Sequence, residues 1–350
     1  MYRSCGVIDQ TYAKDMAIVR TWQHWTSLVA AVVLLYLLPW LGVGYYFISL
    51  INSISIVIIA VLGLQIVTGY CGQISFGQPA FMAVGAYTAA ILTSQFGLSF
   101  WLALPLAGIA AGLVGIVGGA PSLRIKGFYL AMATLAIHFI VMWLIVHLEI
   151  TGGSDGIYVP YPHIGGFEFD SHQSMYFIII TVMLIMTFGA RNLVRSKIGR
   201  AFVAIRDNDL AAEIMGVNLY YYKFLAFFLS CFYAGVAGCL FVHLLTVGHP
   251  SQYAIFDGIW YIGMIIIGGM GSIPGVFFGV IFLRLLDELV LFGSPLLAQQ
   301  FPWLGDAPAS SLGVIVFAVI LGIFLVFEPR GLAHRWEMFK ASYRIYPFAY

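Results

Sequence analysis

SKIGRAFVAIRDNDLAAEIMGVNLYYYKFLAF, residues 196–227, is the longest charged run in an otherwise oily chain. It holds Lys197, Arg200, Arg206, Asp207, Asp209, Glu213 and Lys223, and long apolar segments flank it on both sides. A polar block of this size cannot lie in hydrocarbon, where charges and unpaired backbone groups are penalised. It must sit in water between membrane spans. Asn208 or Asp209 can cap a short helix over Leu210 to Met215, and Gly216 is a natural C-terminal stop. That helix would gather Leu210, Ala211, Ile214 and Met215 on one face, either as a docking surface or as a juxtamembrane helix folded back on its own protein or on lipid.

Composition agrees with that reading. Of 350 residues, 61% are hydrophobic and 9% charged, against about 25% charged in soluble domains. Mean hydropathy is +0.96. From Thr21 to Leu123 there is no Asp, Glu, Lys or Arg. At about 20 residues per span the apolar material suffices for roughly nine to eleven helices. The ten-residue alternation of a membrane β-barrel is absent. The fold class is therefore an all-α polytopic membrane protein of about ten transmembrane helices.

Working outward, spans are predicted at 27–43, 46–68, 77–95, 100–120, 127–148, 174–189, 223–247, 257–270, 274–292 and 311–327. Basic residues set orientation: Arg124 and Lys126, then Arg191, Arg195, Lys197, Arg200 and Arg206, then Arg330, Arg335, Lys340 and Arg344. All three groups are expected on the cytoplasmic side, which puts both termini inside. This requires 257–292 to be broken at GGMGSIPG, residues 268–275, as two short spans or a re-entrant hairpin. The chain divides into a cytoplasmic N-terminal segment 1–26, a transmembrane domain 27–329 and a cytoplasmic tail 330–350. Loop 190–222 is cytoplasmic. Loop 149–173 has four acidic residues, five glycines and no Lys or Arg, and is assigned to the outer, periplasmic face, as a connector or as a surface for an external partner.

Chemistry is sparse. The four cysteines have no metal or redox spacing, and no carboxylate pair or His/Asp constellation falls in the spans, so no catalytic residue, metal ligand or cofactor is assigned. His138 and His243 are lone histidines on apolar helices. None of the five lysines sits in a phosphate-binding glycine loop, so the chain has no such site for ATP. A net charge of +1 implies no nucleic-acid partner. The segments Gly69-Tyr-Cys-Gly72-Gln-Ile74 and Gly268-Gly-Met-Gly271-Ser-Ile273 share a pattern. Glycine breaks of this kind line transport paths or simply permit close helix packing. Gln73, Ser75, Gln78, Gly271 and Ser272 are the candidate path residues.

These stretches resemble the membrane permease subunits of bacterial branched-chain amino-acid ABC importers, the LivM-like branch. The likeness runs over roughly 50–335, in GYCGQISFGQPAFMAVGAYTAAILT (69–93), RIKGFYLAMATLA (124–136), TGGSDGI (151–157), GRAFVAIRDNDLAAEIMGVNLYYYKFLAF (199–227), IGGMGSIPGVFFG (267–279) and FEPRGL (327–332). The resemblance implies that 199–227 couples to a cytoplasmic ATPase through Gly199, Arg200, Arg206, Asp207, Asn208, Ala211, Glu213 and Gly216. It implies a second, LivH-like permease, two ATPase subunits that bind the ATP, and a periplasmic substrate-binding protein facing Gly152, Gly153 and Asp155. The location would be the bacterial inner membrane, among lipids. The implied function is alternating access for branched-chain or related small amino acids and amides, with no enzymatic site on this chain. The rival is a stand-alone secondary transporter or facilitator. Phe76-Gly77-Gln78-Pro79 stands where the family often has a histidine, which leaves amides, urea and aromatic acids open as substrates.

Overall fold

Long apolar runs bounded by Gly, Pro and Ser form helices in the computed structural model, which describes residues 22–42, 44–119, 127–164, 167–300, 309–328 and 330–345. In chain order they are α1 (Trp22–Leu37), α2 (Tyr45–Leu64, continuing as a π-turn Gln65–Tyr70), α3 (Gln78–Ser94), α4 (Phe100–Gly119) and α5 (Phe128–His147). Then follow α6 (His172–Arg195), α7 (Lys197–Asp207), α8 (Asp209–Ile214), α9 (Leu219–Leu245), α10 (Ile255–Gly268), α11 (Ile273–Gln300), α12 (Ala309–Phe327) and α13 (Gly331–Ile345). Every predicted span is occupied by a helix. Tyr45–Tyr70, Phe100–Val117, Tyr129–His147, His172–Arg195 and Leu219–Leu245 are each long and apolar enough to cross a membrane unaided.

The broken reading of 257–292 holds: α10 and α11 meet at a bend of 119°. The cause is local. Gly269 (φ +115°) and Gly271 (φ +78°) take backbone angles closed to ordinary side chains, and a Cβ on Gly268 would stand 2.0 Å from the Gly275 carbonyl oxygen. Only glycine lets the two helix ends fold onto each other there.

The interior is built from small residues because lipid offers no hydrophobic drive between helices, so close packing must hold them. Ala80, Ala83, Ala86, Ala89 and Ala90 line α3 and are fully buried. Gly85 meets Gly235 of α9 backbone to backbone; a Cβ on Gly85 would lie 2.3 Å from the Gly235 Cα. Phe228 and Phe232 of α9 fill the hollows over Gly112 and Gly108 of α4. Large apolar side chains point the other way: Leu102, Leu106 and Leu113 on α4, and Phe139, Ile140 and Trp143 on α5, are exposed, as a lipid-facing surface requires.

Two short ribbons decorate the 149–173 loop. β1 (Ile157–Tyr158) pairs antiparallel with β4 (Val247–Gly248) just past α9, and β2 (His163–Ile164) pairs with β3 (Phe167–Glu168). The expected loop of Arg124 and Lys126 lies outside the described residues, as do positions 1–21 and the end of the tail beyond 345.

Candidate functional site

The charged block is more ordered than a loop. Its joints are capped in turn. Ser196 ends α6 and starts α7, its hydroxyl accepting from the Ile198 amide at 3.1 Å. Asn208 starts α8, its Oδ1 accepting from the Ala211 amide at 3.1 Å, and Asn218 starts α9 by accepting from the Tyr221 amide at 3.1 Å. Each cap satisfies a helix-end donor that has no partner within the helix. Gly216 turns the chain between the last two (φ +86°), and Lys223 pairs with Asp209 at 3.8 Å. The run from α6 to α9 is thus a chain of capped helices rather than a slack connector.

α7 precedes the short helix expected over Leu210 to Met215, and its signal is present in the sequence. Ser196 stands before Ile198, Ala201, Phe202 and Ile205, a helical one-face spacing, and Ala201, Phe202 and Ile205 are buried. α8 does the reverse. Ala212 is buried, whereas Leu210 is 64%, Ile214 86% and Met215 83% exposed. The predicted apolar face therefore exists and points outward instead of folding back on the chain. Ala211 and Glu213 are exposed beside it, as is Arg200.

At the joint between α7 and α8 the block reaches the glycine breaks. Arg206 Nη1 donates to the Gly69 carbonyl at 3.0 Å, while Nε and Nη2 both donate to Asp207 Oδ1 at 3.1 and 3.0 Å. The two breaks touch each other: Gln65 Nε2 donates to the carbonyls of Gly269 (3.1 Å) and Ser272 (3.0 Å). A Cβ on Gly271 would lie 2.9 Å from Arg206 Nη1. One guanidinium and one amide thus tie together three segments far apart in sequence. Buried carbonyls freed by broken helices need such donors.

Two cavities flank this knot. The larger, about 640 Å³, lies between the breaks and α13, and Gly271, Ser272, Arg206, Arg330, His334 and Glu337 help to line it. The second, about 360 Å³, takes in Cys71, Gln73, Asp207, Asn208, Asp209 and Lys223. Gly72 and Arg206 border both, so the arginine stands in the wall between them. Gln73 brings a buried Oε1 with no hydrogen-bond partner.

Of the candidate path residues, Gln73, Gly271 and Ser272 meet these cavities. Ser75 and Gln78 are buried. Gln78 is a clamp between helices: Nε2 donates to the carbonyls of Ala60 (2.8 Å) and Ser230 (3.4 Å), and Oε1 accepts from the Ser230 hydroxyl at 3.2 Å. Gln65 was not singled out from sequence, because one glutamine inside an apolar helix carries no pattern of its own.

At the opposite end, TGGSDGI wraps the C-terminus of α5. Thr151 Oγ1 engages the carbonyls of Ile145 and Leu148, and Asp155 is exposed above Gly152 and Gly153. Tyr87 of α3 donates to the Gly248 carbonyl in the adjoining ribbon at 3.2 Å. Among the described residues no group of His, Cys, Asp and Glu could hold a metal ion.

The family model described as "Branched-chain amino acid transport system / permease component" matches residues 46–327. The high-affinity branched-chain amino acid transport permease LivM of Escherichia coli K12 is 33% identical over 260 residues, 67% of this chain and 61% of that protein. The chain thus aligns with about six-tenths of the length of its LivM relatives, the Salmonella typhimurium LivM included. The probable permease LivH of Methanocaldococcus jannaschii is 24% identical over 298 residues, covering 82% of this chain and 91% of that one. No solved structure matches.

Proposed function

The chain belongs to the branched-chain amino-acid transport permease family, and from that premise we propose that it is the LivM-like permease subunit of an ATP-binding-cassette importer. It would line the path for a branched-chain or related small amino acid or amide, in the inner membrane of a bacterium. Its partners would be a second permease, two ATPase subunits that bind the nucleotide, and a periplasmic binding protein meeting Gly152, Gly153 and Asp155. The charged block and α13 border one cavity, which supports placing both on the cytoplasmic side, where their arginines and lysines favour them.

One observation carries the reading: a capped arm, α7–α8, presents an exposed apolar face on α8 and, at the joint just before it, an arginine hydrogen-bonded to a broken span. The ATPase would seat on Leu210, Ile214 and Met215. Its closure would draw the arm and lift Arg206 from the Gly69 carbonyl, changing the wall between the two cavities. A hydrogen bond from a charged donor contributes about 1.5–3 kcal/mol, enough to hold one state and small enough for a docked motor to overcome. Gly199, Arg200, Asp207, Asn208, Ala211, Glu213 and Gly216 would shape or stiffen the same arm. Gln73, Gly271 and Ser272 offer polar groups for a zwitterion passing beside the breaks.

The test is the reconstituted complex carrying Arg206→Glu or Gly216→Val. Expected is continued ATP hydrolysis with uptake reduced at least about tenfold, a coupling loss of about 1.4 kcal/mol or more. Uptake unchanged in both variants removes the lever. Uptake by the chain alone in liposomes without ATP would favour a stand-alone carrier.

A further inference from the structure

The C-terminal helix α13 has two unlike faces. Ala333, His334 and Glu337 look onto the larger cavity. Leu332, Arg335, Trp336 and Phe339 look away from it and, with Phe278 of α11, form a groove of about 390 Å³. Phe278 and Trp336 rings lie 6.1 Å apart, and Trp336 stacks on Phe339 at 5.9 Å with planes 17° apart. Phe339 is nonetheless 63% exposed. An aromatic shelf of this kind is unusual on a helix bathed only in water.

Its position says what covers it. α12 ends at Phe327, and α13 begins at Gly331, so the helix lies where the chain leaves the last apolar span. Phe278 is in the second turn of α11, and Ile281 and Leu285 continue an exposed apolar surface up that helix. Val326 and Phe327 end α12 equally exposed. The groove is thus continuous with surfaces that face lipid. Cations frame it: Lys340 Nζ stands 5.2 Å from the Trp336 ring centroid, and Arg335, paired with Glu328, lies in the groove wall. Aromatic rings at headgroup level with basic side chains beside them are the pattern of an interfacial helix on an anionic leaflet.

We infer that the groove between α11 and α13 binds an anionic glycerophospholipid, with an acyl chain against Phe278, Trp336 and Phe339 and the phosphate between Arg335 and Lys340. The site lies on the far face of α13 from the Arg206 cavity. A lipid held there fixes one wall of that cavity, because His334 and Glu337 ride on the same helix. This inference does not depend on the transported substrate.

Trp336 supplies its own probe. The quenchable component is the fluorescence of the wild-type protein minus that of Trp336→Phe, measured in bilayers containing brominated phosphatidylglycerol or brominated phosphatidylcholine at equal fraction. The glycerol lipid is expected to quench this component at least about twofold more. Arg335→Gln with Lys340→Gln should bring the two lipids level while quenching by both persists. Native mass spectrometry should show fewer phosphatidylglycerol adducts on that double variant than on wild type. Equal quenching in the wild type, or equal adduct counts, would overturn anionic recognition. No quenching by either lipid would overturn the lipid site altogether and leave a protein partner over the shelf.

Discussion

The two glycine breaks are spelled almost alike, yet the chain folds them into different objects. Around Gly69 the helix loosens through the π-turn Gln65–Tyr70, and residues 71–77 run without regular structure before α3 starts at Gln78. After Gly268 the chain turns a 119° corner, and α11 starts at Ile273. Proline placement accounts for the difference. Each helix restarts one residue ahead of a proline, Pro79 or Pro274, whose missing N–H is harmless only in a first turn. Pro274 follows Ile273 directly, whereas Pro79 stands five residues beyond the matching Ile74. The first break is therefore long and held by side chains: Thr68 donates to the Gln73 carbonyl (3.0 Å), Thr134 accepts from the Phe76 amide (3.0 Å), and Arg206 donates to Gly69. The second is short: its helix ends press backbone on backbone at Gly268 and Gly275, with Gln65 tying the turn itself. One can be released by moving a side chain; the other is a pivot.

The sharpest way to break this contrast is at the pivot. Gly268→Val would drive a Cβ into the Gly275 carbonyl, 2.0 Å away, and backbone there cannot swing aside. The expected cost is at or beyond the top of the about 1–3 kcal/mol typical of overpacking, read as loss of monodisperse protein and a lowered Tm in detergent. At the releasable break, Gly72→Ala carries the strain of its left-handed backbone (φ +73°), about 1–2 kcal/mol, and meets the Arg206 side chain at 3.0 Å, which can move, so a smaller loss is expected than at Gly268. Equal losses at the two glycines would end the distinction between pivot and latch.

Next comes Gln65→Leu, which keeps the bulk and removes the donor shared by Gly269 and Ser272. A buried carbonyl and a part-buried one then lose this donor, for an expected cost of about 1–3 kcal/mol in thermal unfolding. Combined with Arg206→Lys, the losses should depart from additivity by more than about 0.5 kcal/mol, since both side chains act where the two breaks meet. Additive losses would mean that the breaks respond independently.

The spans were legible because hydropathy is a sum over many residues, and the break in 257–292 because charge bias forbids a single long span there. The caps at Asn208 and the stop at Gly216 were legible because they are local. α7 hid behind its charges: Lys197, Arg200, Arg206 and Asp207 mask the apolar row at Ile198, Ala201, Phe202 and Ile205. The Arg206–Gly69 bond joins positions 137 apart in sequence, and no single sequence reports contact at that distance. Gln78 shows the opposite limit. Polarity at membrane depth reads as a path, but Ala60 and Ser230 satisfy it entirely within the helix packing.

The smallest expected effect tests the latch most directly. Thr134 Oγ1 donates to the Ala131 carbonyl at 2.8 Å, which leaves a lone pair for the Phe76 amide. Thr134→Val matches the shape and removes that acceptor, for about 1 kcal/mol. Global unfolding should barely register it. Local opening of 71–77 should, because about 1 kcal/mol multiplies an open population roughly fivefold. Cys71 reports the opening: it is 2% exposed, inside this break, and its thiol should react with a maleimide several-fold faster in the variant. Ser272→Ala, which removes the hydroxyl that accepts from the Gly275 amide at the corner (3.2 Å), should leave the Cys71 rate unchanged. If both substitutions speed labelling alike, the breaks open as one unit, and the corner is part of the latch rather than the pivot it turns on.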